Sequence, residues 1–461
     1  MAYKLQYTNY KFKKYDKGGF ILLNRLARFF VHLMQKYLPA PFLFAIILTL
    51  IVFVLGIVAT DSGPGDMVIY WGDGFWNLLE FAMQMALVLV TGHVMANSRP
   101  IKRILNYGAS IPNNPTQAIV MVSFISAVAC WINWGFGLVV GALFAKEMAK
   151  VVRGLDYRLV IASAYSGFLV WHAGFSASVP LAVATEGHDF EELVGVISTS
   201  ETIFSIENLI ISAAVIVMLP LLNKAMMPKK EEVVEIDASL LEDEVSATDE
   251  ENELETVADR IENSKAISLI IGIMGLAYIG YYFLIEEGTL GLNIVNFIFL
   301  FVGILLHGTP KQYLKALPEA AKAASGIIIQ FPFYAGIMGM MTASGLAAVI
   351  SQGLVNMSTE TTFPIFSFLS AGIVNFFVPS GGGQWAVQAP IMLPASLEMG
   401  VDVAKTCMAV AWGDAWTNMI QPFWALPALG IAGLGARDIM GYCLMALLFS
   451  GVIIIFGLLI F

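Results

Sequence analysis

Long apolar stretches separated by short polar interruptions fill most of the chain. A bilayer-crossing helix needs about 20 predominantly apolar residues. That pattern predicts spans over 41–59, 75–97, 159–185 and 202–222 in a first half, and over 266–286, 291–307, 325–350, 406–430 and 438–460 in a second. Ahead of them, residues 20–38 place Leu22, Leu26, Phe29, Phe30, Leu33 and Tyr37 on one helical face and Arg25, Arg28, Gln35 and Lys36 on the other. This is the pattern of a helix lying in the membrane interface rather than crossing it.

Two further apolar stretches are interrupted in their middles. Residues 118–145 are too few for two crossings, which would need about 40 residues, and are broken at Asn133-Trp134-Gly135-Phe136-Gly137. Residues 363–396 are broken by Asn375-Phe376-Phe377-Val378-Pro379-Ser380-Gly381-Gly382-Gly383-Gln384-Trp385-Ala386-Val387-Gln388. Irregular backbone of this kind cannot face hydrocarbon, because its N–H and C=O groups would have no partner there. Each stretch therefore reads as a re-entrant hairpin.

The spans after the hairpins are also broken, at Trp171 to Pro180 and at Trp412 to Pro422. Sequence echoes support a repeat: Ser123-Phe124-Ile125-Ser126-Ala127 precedes the first hairpin break as Ser367-Phe368-Leu369-Ser370-Ala371 precedes the second. Ala164-Tyr165-Ser166-Gly167 likewise answers Ala411-Trp412-Gly413-Asp414. Interrupted segments at corresponding places in two halves point to the binding site of a transporter.

Composition narrows the class. The chain has 461 residues, is 58% hydrophobic and 13% charged, and has a mean hydropathy of +0.75, leaving too little polar surface for a soluble domain. The fold expected is an all-α polytopic membrane protein of about nine transmembrane helices plus two re-entrant hairpins. A net charge of −10 suggests no nucleic-acid partner, and many of the acids lie in one run, 231–262.

Basic residues orient the segments. Arg99, Lys102 and Arg103, then Lys146, Lys150, Arg153 and Arg158, and later Lys311, Lys315 and Lys322 mark cytoplasmic loops, whereas the loops at 61–76 and 351–362 contain neither Lys nor Arg and read as external. The first hairpin, 118–145, then opens inward and the second, 363–396, outward, as in an inverted repeat. The organisation expected is a basic lead and interfacial helix (1–40), a first repeat (41–222), an acidic cytoplasmic linker (223–265), a connector helix (266–290) and a second repeat (291–461). Lys4, Lys11, Lys13, Lys14 and Lys17 make a basic opening with no short apolar core and cleavage site behind it, so no signal peptide is expected and the N-terminus is placed in the cytoplasm.

The breaks carry the candidate chemistry. Half-helices that meet inside a membrane direct N-terminal N–H groups at an anion and C-terminal carbonyls at a cation. Gly381, Gly382 and Gly383 permit close approach to the backbone, and Ser380, Gln384, Gln388 and Asn133 add side-chain hydrogen bonds. Close helix packing is the plainer use of such glycines, but packing glycines rarely stand beside Pro, Ser and Gln. Trp134, beside Gly135, and Trp385 either wall the pocket or simply pack. Thr417 and Asn418 complete the candidate substrate set. Asp414 is an intramembrane acid, costly unless paired, wet or protonated; it reads as a proton carrier or cation ligand, or as a structural hydrogen-bond partner. His172 lies in the matching break and could titrate near neutral pH or be a satisfied core histidine.

Other chemistries find no motif. Cys130, Cys407 and Cys443 are isolated in apolar surroundings. H-E-x-x-H, paired-acid metal motifs and G-x-S-x-G are absent, and Ser166 with His172 lacks the features of an activated nucleophile, so neither a metal site nor an enzyme is expected. A channel would not need two broken halves.

The run Phe377-Val378-Pro379-Ser380-Gly381-Gly382-Gly383-Gln384-Trp385-Ala386-Val387-Gln388-Ala389-Pro390, followed by Trp412-Gly413-Asp414-Ala415-Trp416-Thr417-Asn418-Met419-Ile420-Gln421-Pro422-Phe423-Trp424, resembles the bacterial short-chain fatty acid transporters. The basic opening and Asn133-Trp134-Gly135 fit the same family, so the likeness covers nearly the whole length. The resemblance implies acetoacetate or butyrate as substrate and a multi-pass place in the bacterial cytoplasmic (inner) membrane. The architecture is similar to the wider ion transporter superfamily, which implies a homodimer and an elevator in which 118–185 and 363–430 move against a scaffold. Protons couple transport in some relatives and sodium in others. The Ser-Asn-Thr motifs of the dicarboxylate branch are absent, so its sodium sites are not carried over.

The expectation is a secondary active transporter of small monocarboxylates, driven by H+ or Na+ and needing no cofactor. The alternative is an ion-coupled carrier for amino acids or dicarboxylates. Arg99, Arg103, Arg153 and Arg158 all read as loop residues, leaving no arginine clamp for a second carboxylate.

Overall fold

The computed structural model describes residues 19–38, 40–188, 190–236, 256–286, 288 and 292–460. Their regular structure is entirely helical, as hydrocarbon demands of a chain that must satisfy its own backbone. The helices form two groups.

The first group contains Pro41–Ala59, Pro64–Gly74, Leu79–Ala96, Lys265–Leu284, Leu292–His307 and Pro310–Ala343. Small residues bring these helices together. A Cβ on Gly74 would lie 2.7 Å from the Cα of Gly339, and one on Gly275 would lie 2.3 Å from the Phe301 ring.

The second group contains the hairpins, the broken spans and the last span of each half, Ile206–Ala225 and Ala436–Ile460. The first hairpin has arms Pro115–Ile132 and Trp134–Val151, and the second has arms Phe363–Phe377 and Gly381–Glu398. The first broken span runs Tyr157–Ser166, a 3-10 turn Gly167–Ala173, and Ser178–Val183; the second runs Val403–Thr417 and Pro422–Ala432. Burial gives the order of the layers: 89% of Tyr157–Val183 is buried, against 22% of Phe42–Ala59 and 17% of Lys265–Leu284. The broken span is the axis of the molecule, and the other two helices turn broad apolar faces outward.

Local chemistry explains the breaks. Asn133, in an extended conformation, ends one arm and caps the next, its Oδ1 accepting the Phe136 N–H at 2.9 Å. Ser380 caps the second hairpin's return arm, its hydroxyl accepting the Gly383 N–H at 3.3 Å. Pro422 opens the second half of its broken span, where Gln421 Oε1 accepts the Phe423 N–H.

Three expectations change. Among the described residues eight helices are long and apolar enough to cross a membrane, against about nine expected. The first arm of hairpin one passes that length test, whereas Asn293–His307 and the pieces of the second broken span do not. Second, Lys311, Lys315 and Lys322 do not form a loop before a span at 325–350. One helix runs from Pro310 through Ala343, because Ala316, Ala320, Ala321 and Ala324 favour helix, and it stops at Gly345, whose φ is +77°. Third, the expected 61–76 loop contains the helix Pro64–Gly74, started by Pro64 and the Asp66 carboxylate on the Gly63 N–H. The helix Gly19–Tyr37 docks through buried Ala27 and Val31, with Val31 against Gly441, while Phe29 stays exposed.

Candidate substrate and coupling site

The two halves meet at the break of the first broken span. His172 is fully buried, and its Nε2 accepts the Val179 N–H at 3.0 Å. A nitrogen that accepts carries no proton, so the neutral ring has its proton on Nδ1. Nδ1 faces Asp414 Oδ1 at 3.3 Å, an ion-pair distance with the N–H off the line of a good hydrogen bond. Trp171 stacks on the imidazole with centroids 4.1 Å apart. Asp414 is also buried; Asn418 Nδ2 reaches its Oδ1 at 3.4 Å, and its Oδ2 has no hydrogen-bond partner among the described residues.

Beside this pair, Asn375 on the second hairpin bridges to the second broken span. Its Nδ2 lies 2.9 Å from the Asp414 carbonyl, 2.9 Å from Thr417 Oγ1 and 2.8 Å from Asn418 Oδ1. An amide nitrogen has two hydrogens for these three acceptors. The hairpin tip rests on the opposite half, since a Cβ on Gly381 would lie 2.9 Å from His172 Cε1 and 3.0 Å from Ser178 Oγ.

The rest of that tip is open. Gly382 is exposed, with nothing within 4 Å of where its Cβ would stand, and Ser380 and Gly383 are partly exposed. They adjoin a crevice of about 550 Å3 that includes Gly383 and whose other walls include Tyr70, Asp73, Asn77, Met338, Thr342 and Val387. Gly381 and Gly382 occupy the first two positions of their helix, where N–H groups have no intrahelical acceptor and favour an anion.

The other expected residues lie elsewhere. Asn133, Trp134 and Gly135 are buried on the far side of the Trp171 break; the Trp134 N–H donates to Ser176 Oγ, and its ring packs against Trp171 and Trp424. Gln384 donates to the Ala371 carbonyl and to Gln388 Oε1, and Gln388 donates to Ser351 and Ser370. Those amides fasten the arms of hairpin two to each other and to helix Leu346–Val355. Trp385 packs edge-on against Phe190.

Residues 22–461 match the family described as Short chain fatty acid transporter. The chain belongs to that family. A relative in Escherichia coli (strain K12), named for short-chain fatty acid transport, is 48% identical over 440 residues, covering 95% of this chain and 100% of the relative. One in Haemophilus influenzae (strain ATCC 51907 / DSM 11121 / KW20 / Rd), named in the same way, is 45% identical over 444 residues, covering 95% and 99%. A solved structure, the Alcanivorax borkumensis YdaH transporter, aligns over 92% of this chain and 97% of its own at 16% identity, with a TM-score of 0.45. The family is one of multi-pass membrane transporters.

In this short-chain fatty acid transporter family member, sequence reading missed Asn375, Gln421 and Asn208. The first two flank the glycine run and Asp414, where a neutral amide carries a weaker signal than three glycines or an intramembrane acid. Gln421 Nε2 donates to the Phe376 carbonyl at 2.6 Å, closing the gap between hairpin and broken span. Asn208 was one polar residue near the start of an apolar span, and no motif singled it out.

Proposed function

We propose that the protein is a secondary active carrier of short-chain fatty acids or related small monocarboxylates, such as butyrate and acetoacetate, coupled to protons. The observation that supports this most is the buried His172–Asp414 pair, one member from each half, directly beneath the glycine tip of hairpin two. A substrate carboxylate sits at the Gly381 and Gly382 N–H groups with the Ser380 hydroxyl, and its short apolar tail lies toward Met338 and Val387. No Arg or Lys stands among the polar groups described at the breaks, which favours one carboxylate over two. Asp414 takes up a proton on its unpartnered oxygen, so the site moves without an uncompensated charge in hydrocarbon.

The hairpins and broken spans move as an elevator against the scaffold, in an inverted repeat whose hairpins open to opposite faces. The N-terminus lies in the cytoplasm of a bacterium, beneath its inner membrane, and two copies pair through the outward apolar scaffold. Cysteines at Lys150→Cys and Ser358→Cys should label from opposite faces; labelling of both from one face sinks the inverted arrangement.

Sodium coupling is the second reading. The Asp414 carbonyl, Thr417 Oγ1 and Asn418 Oδ1 crowd around one amide, and unwound carbonyls with side-chain oxygens are what a sodium ion seeks in a broken helix. Uptake into liposomes decides, with acetate, butyrate, acetoacetate and succinate tested and each ion gradient imposed alone. The expected result is saturable butyrate and acetoacetate uptake with counterflow, driven by a pH gradient and not inhibited by succinate. Preference for succinate or an amino acid would overturn the substrate assignment. Accumulation with sodium alone would transfer coupling to the oxygens around Asn375.

A further inference from the structure

Asn208, near the start of the helix Ile206–Ala225, is 1% exposed, and its side chain bonds outside both the hairpin tips and the His172–Asp414 pair. Its Nδ2 donates to the Ala173 carbonyl at 3.0 Å and to the Ile203 carbonyl at 2.8 Å, while its Oδ1 accepts the Trp412 indole N–H at 3.0 Å. The orientation of this amide is fixed by chemistry. Two carbonyls can only accept and an indole N–H can only donate, so a flipped amide would set like against like three times. Buried groups left unpaired in that way are costly.

The ends of this bridge are telling. Ala173 follows His172 directly, and Trp412 stands two residues before Asp414. The Ala173 carbonyl also accepts the Trp131 indole N–H at 3.1 Å, which brings in the first hairpin. Asn208 thus joins the first broken span, near its break, to the second, on either side of the 3.3 Å contact between Nδ1 and Oδ1. The 3-10 turn that carries His172 lacks the regular hydrogen-bond ladder of an α-helix, so a side chain holding its last carbonyl has unusual leverage over where the imidazole points.

We infer that Asn208 is a positioning residue that sets the two broken spans in register and so keeps His172 on Asp414. This rests on the proposal that the pair couples transport to protons. It differs from a simple packing role, because a packing defect slows every mode of the carrier together. A lost register spares exchange of substrate across the membrane and impairs only the mode in which a proton must be loaded and released.

The test uses purified full-length protein in liposomes, with butyrate as probe, comparing pH-gradient-driven accumulation with counterflow at equal pH on both sides. Asn208→Ala should lower driven accumulation about tenfold while counterflow stays within about twofold. Trp412→Phe keeps the aromatic volume and removes only the indole donor; it should give the same split at about threefold, and the double variant should be no worse than Asn208→Ala. If Asn208→Ala does not fold, Trp412→Phe alone carries the test. Equal loss in both modes, or unchanged driven accumulation in folded variants, would overturn the inference. Asp414→Asn is run in parallel. If it keeps driven accumulation, the coupling proposal fails and this one with it; if it loses accumulation while Asn208→Ala and Trp412→Phe keep it, only the role of Asn208 is refuted.

Discussion

The two hairpins meet their broken spans through different chemistry. In the first half, the Trp131 carbonyl accepts the Phe175 N–H at 2.9 Å, its indole donates to Ala173, and Gly174 packs so tightly that a Cβ would stand 1.9 Å from the Trp131 oxygen. Trp134, Phe168, Trp171 and Trp424 fill the space around the joint. In the second half, two amides make the joint: Asn375 reaches three oxygens on the broken span, and Gln421 reaches back to Phe376. A backbone bond among aromatic rings is self-sufficient and has no further capacity. The second joint instead has an amide facing more acceptors than it has hydrogens, beside a carboxylate oxygen with no hydrogen-bond partner among the described residues. The first joint is thus closed by backbone and aromatic packing, and the second by side-chain amides; on the proposed function, the second hairpin carries the substrate seat while the coupling pair draws His172 from the first half and Asp414 from the second.

The sharpest way to break this comparison is with its glycines. Gly174→Ala places a methyl group on backbone that cannot withdraw, and should cost about 3 kcal/mol or more, seen as loss of monodisperse protein after extraction. Gly382→Ala, at the open tip of the other hairpin, should leave folding intact. Comparable thermal stability in the two variants would show that the first joint is not rigid.

Charge gives the next largest effect. Asp414→Asn keeps size and hydrogen bonding but cannot cycle a proton, so pH-driven accumulation should fall to the level of empty liposomes while counterflow persists. His172→Gln should weaken the same mode. Unchanged accumulation in folded Asp414→Asn would remove the carboxylate from coupling.

Gly382→Val tests the open tip at a more modest scale. Its bulk would cover the Gly381 and Gly382 N–H groups without touching the core, and it should raise the KM for butyrate about 10- to 100-fold with little change in melting temperature. The same substitution at half-buried Gly63, ahead of the helix Pro64–Gly74, should leave KM unchanged. A normal KM for Gly382→Val would move the carboxylate seat elsewhere.

Much of this was legible in the residues. The breaks at Asn133 and Ser380 fall where polar residues and glycines interrupt the apolar pattern, because an Asn or Ser cap and a Gly run disfavour continued helix. Asp414 and His172 stood out separately as ionisable groups in apolar surroundings. Their contact could not be read, since it joins residues 242 positions apart through the packing of two spans. The low hydropathy of Lys311 to Lys322 reads as a loop, although its alanines continue the helix Pro310–Ala343. Asn208 gave no signal, because a lone Asn in an apolar span looks the same whether it binds nothing or three partners.

The smallest effect concerns the glutamines of hairpin two. From sequence Gln384 and Gln388 belong with the glycines as substrate ligands, but in the fold their amide nitrogens are occupied by Ala371, Ser351, Ser370 and Gln388 Oε1, while Gln384 Oε1 has no partner among the described residues. Gln388→Leu keeps a similar volume and takes one partner from each serine hydroxyl, leaving the 3.3 Å bond between them, and one from the Gln384 amide nitrogen, which keeps Ala371; that loss should cost about 2 kcal/mol. The expected outcome is a melting temperature lowered by a few degrees with the KM for butyrate unchanged, the reverse of Gly382→Val. If Gln388→Leu instead raises KM at unaltered stability, the amide must leave Ser351 and Ser370 to meet substrate, and the arms of hairpin two would have to part during the transport cycle.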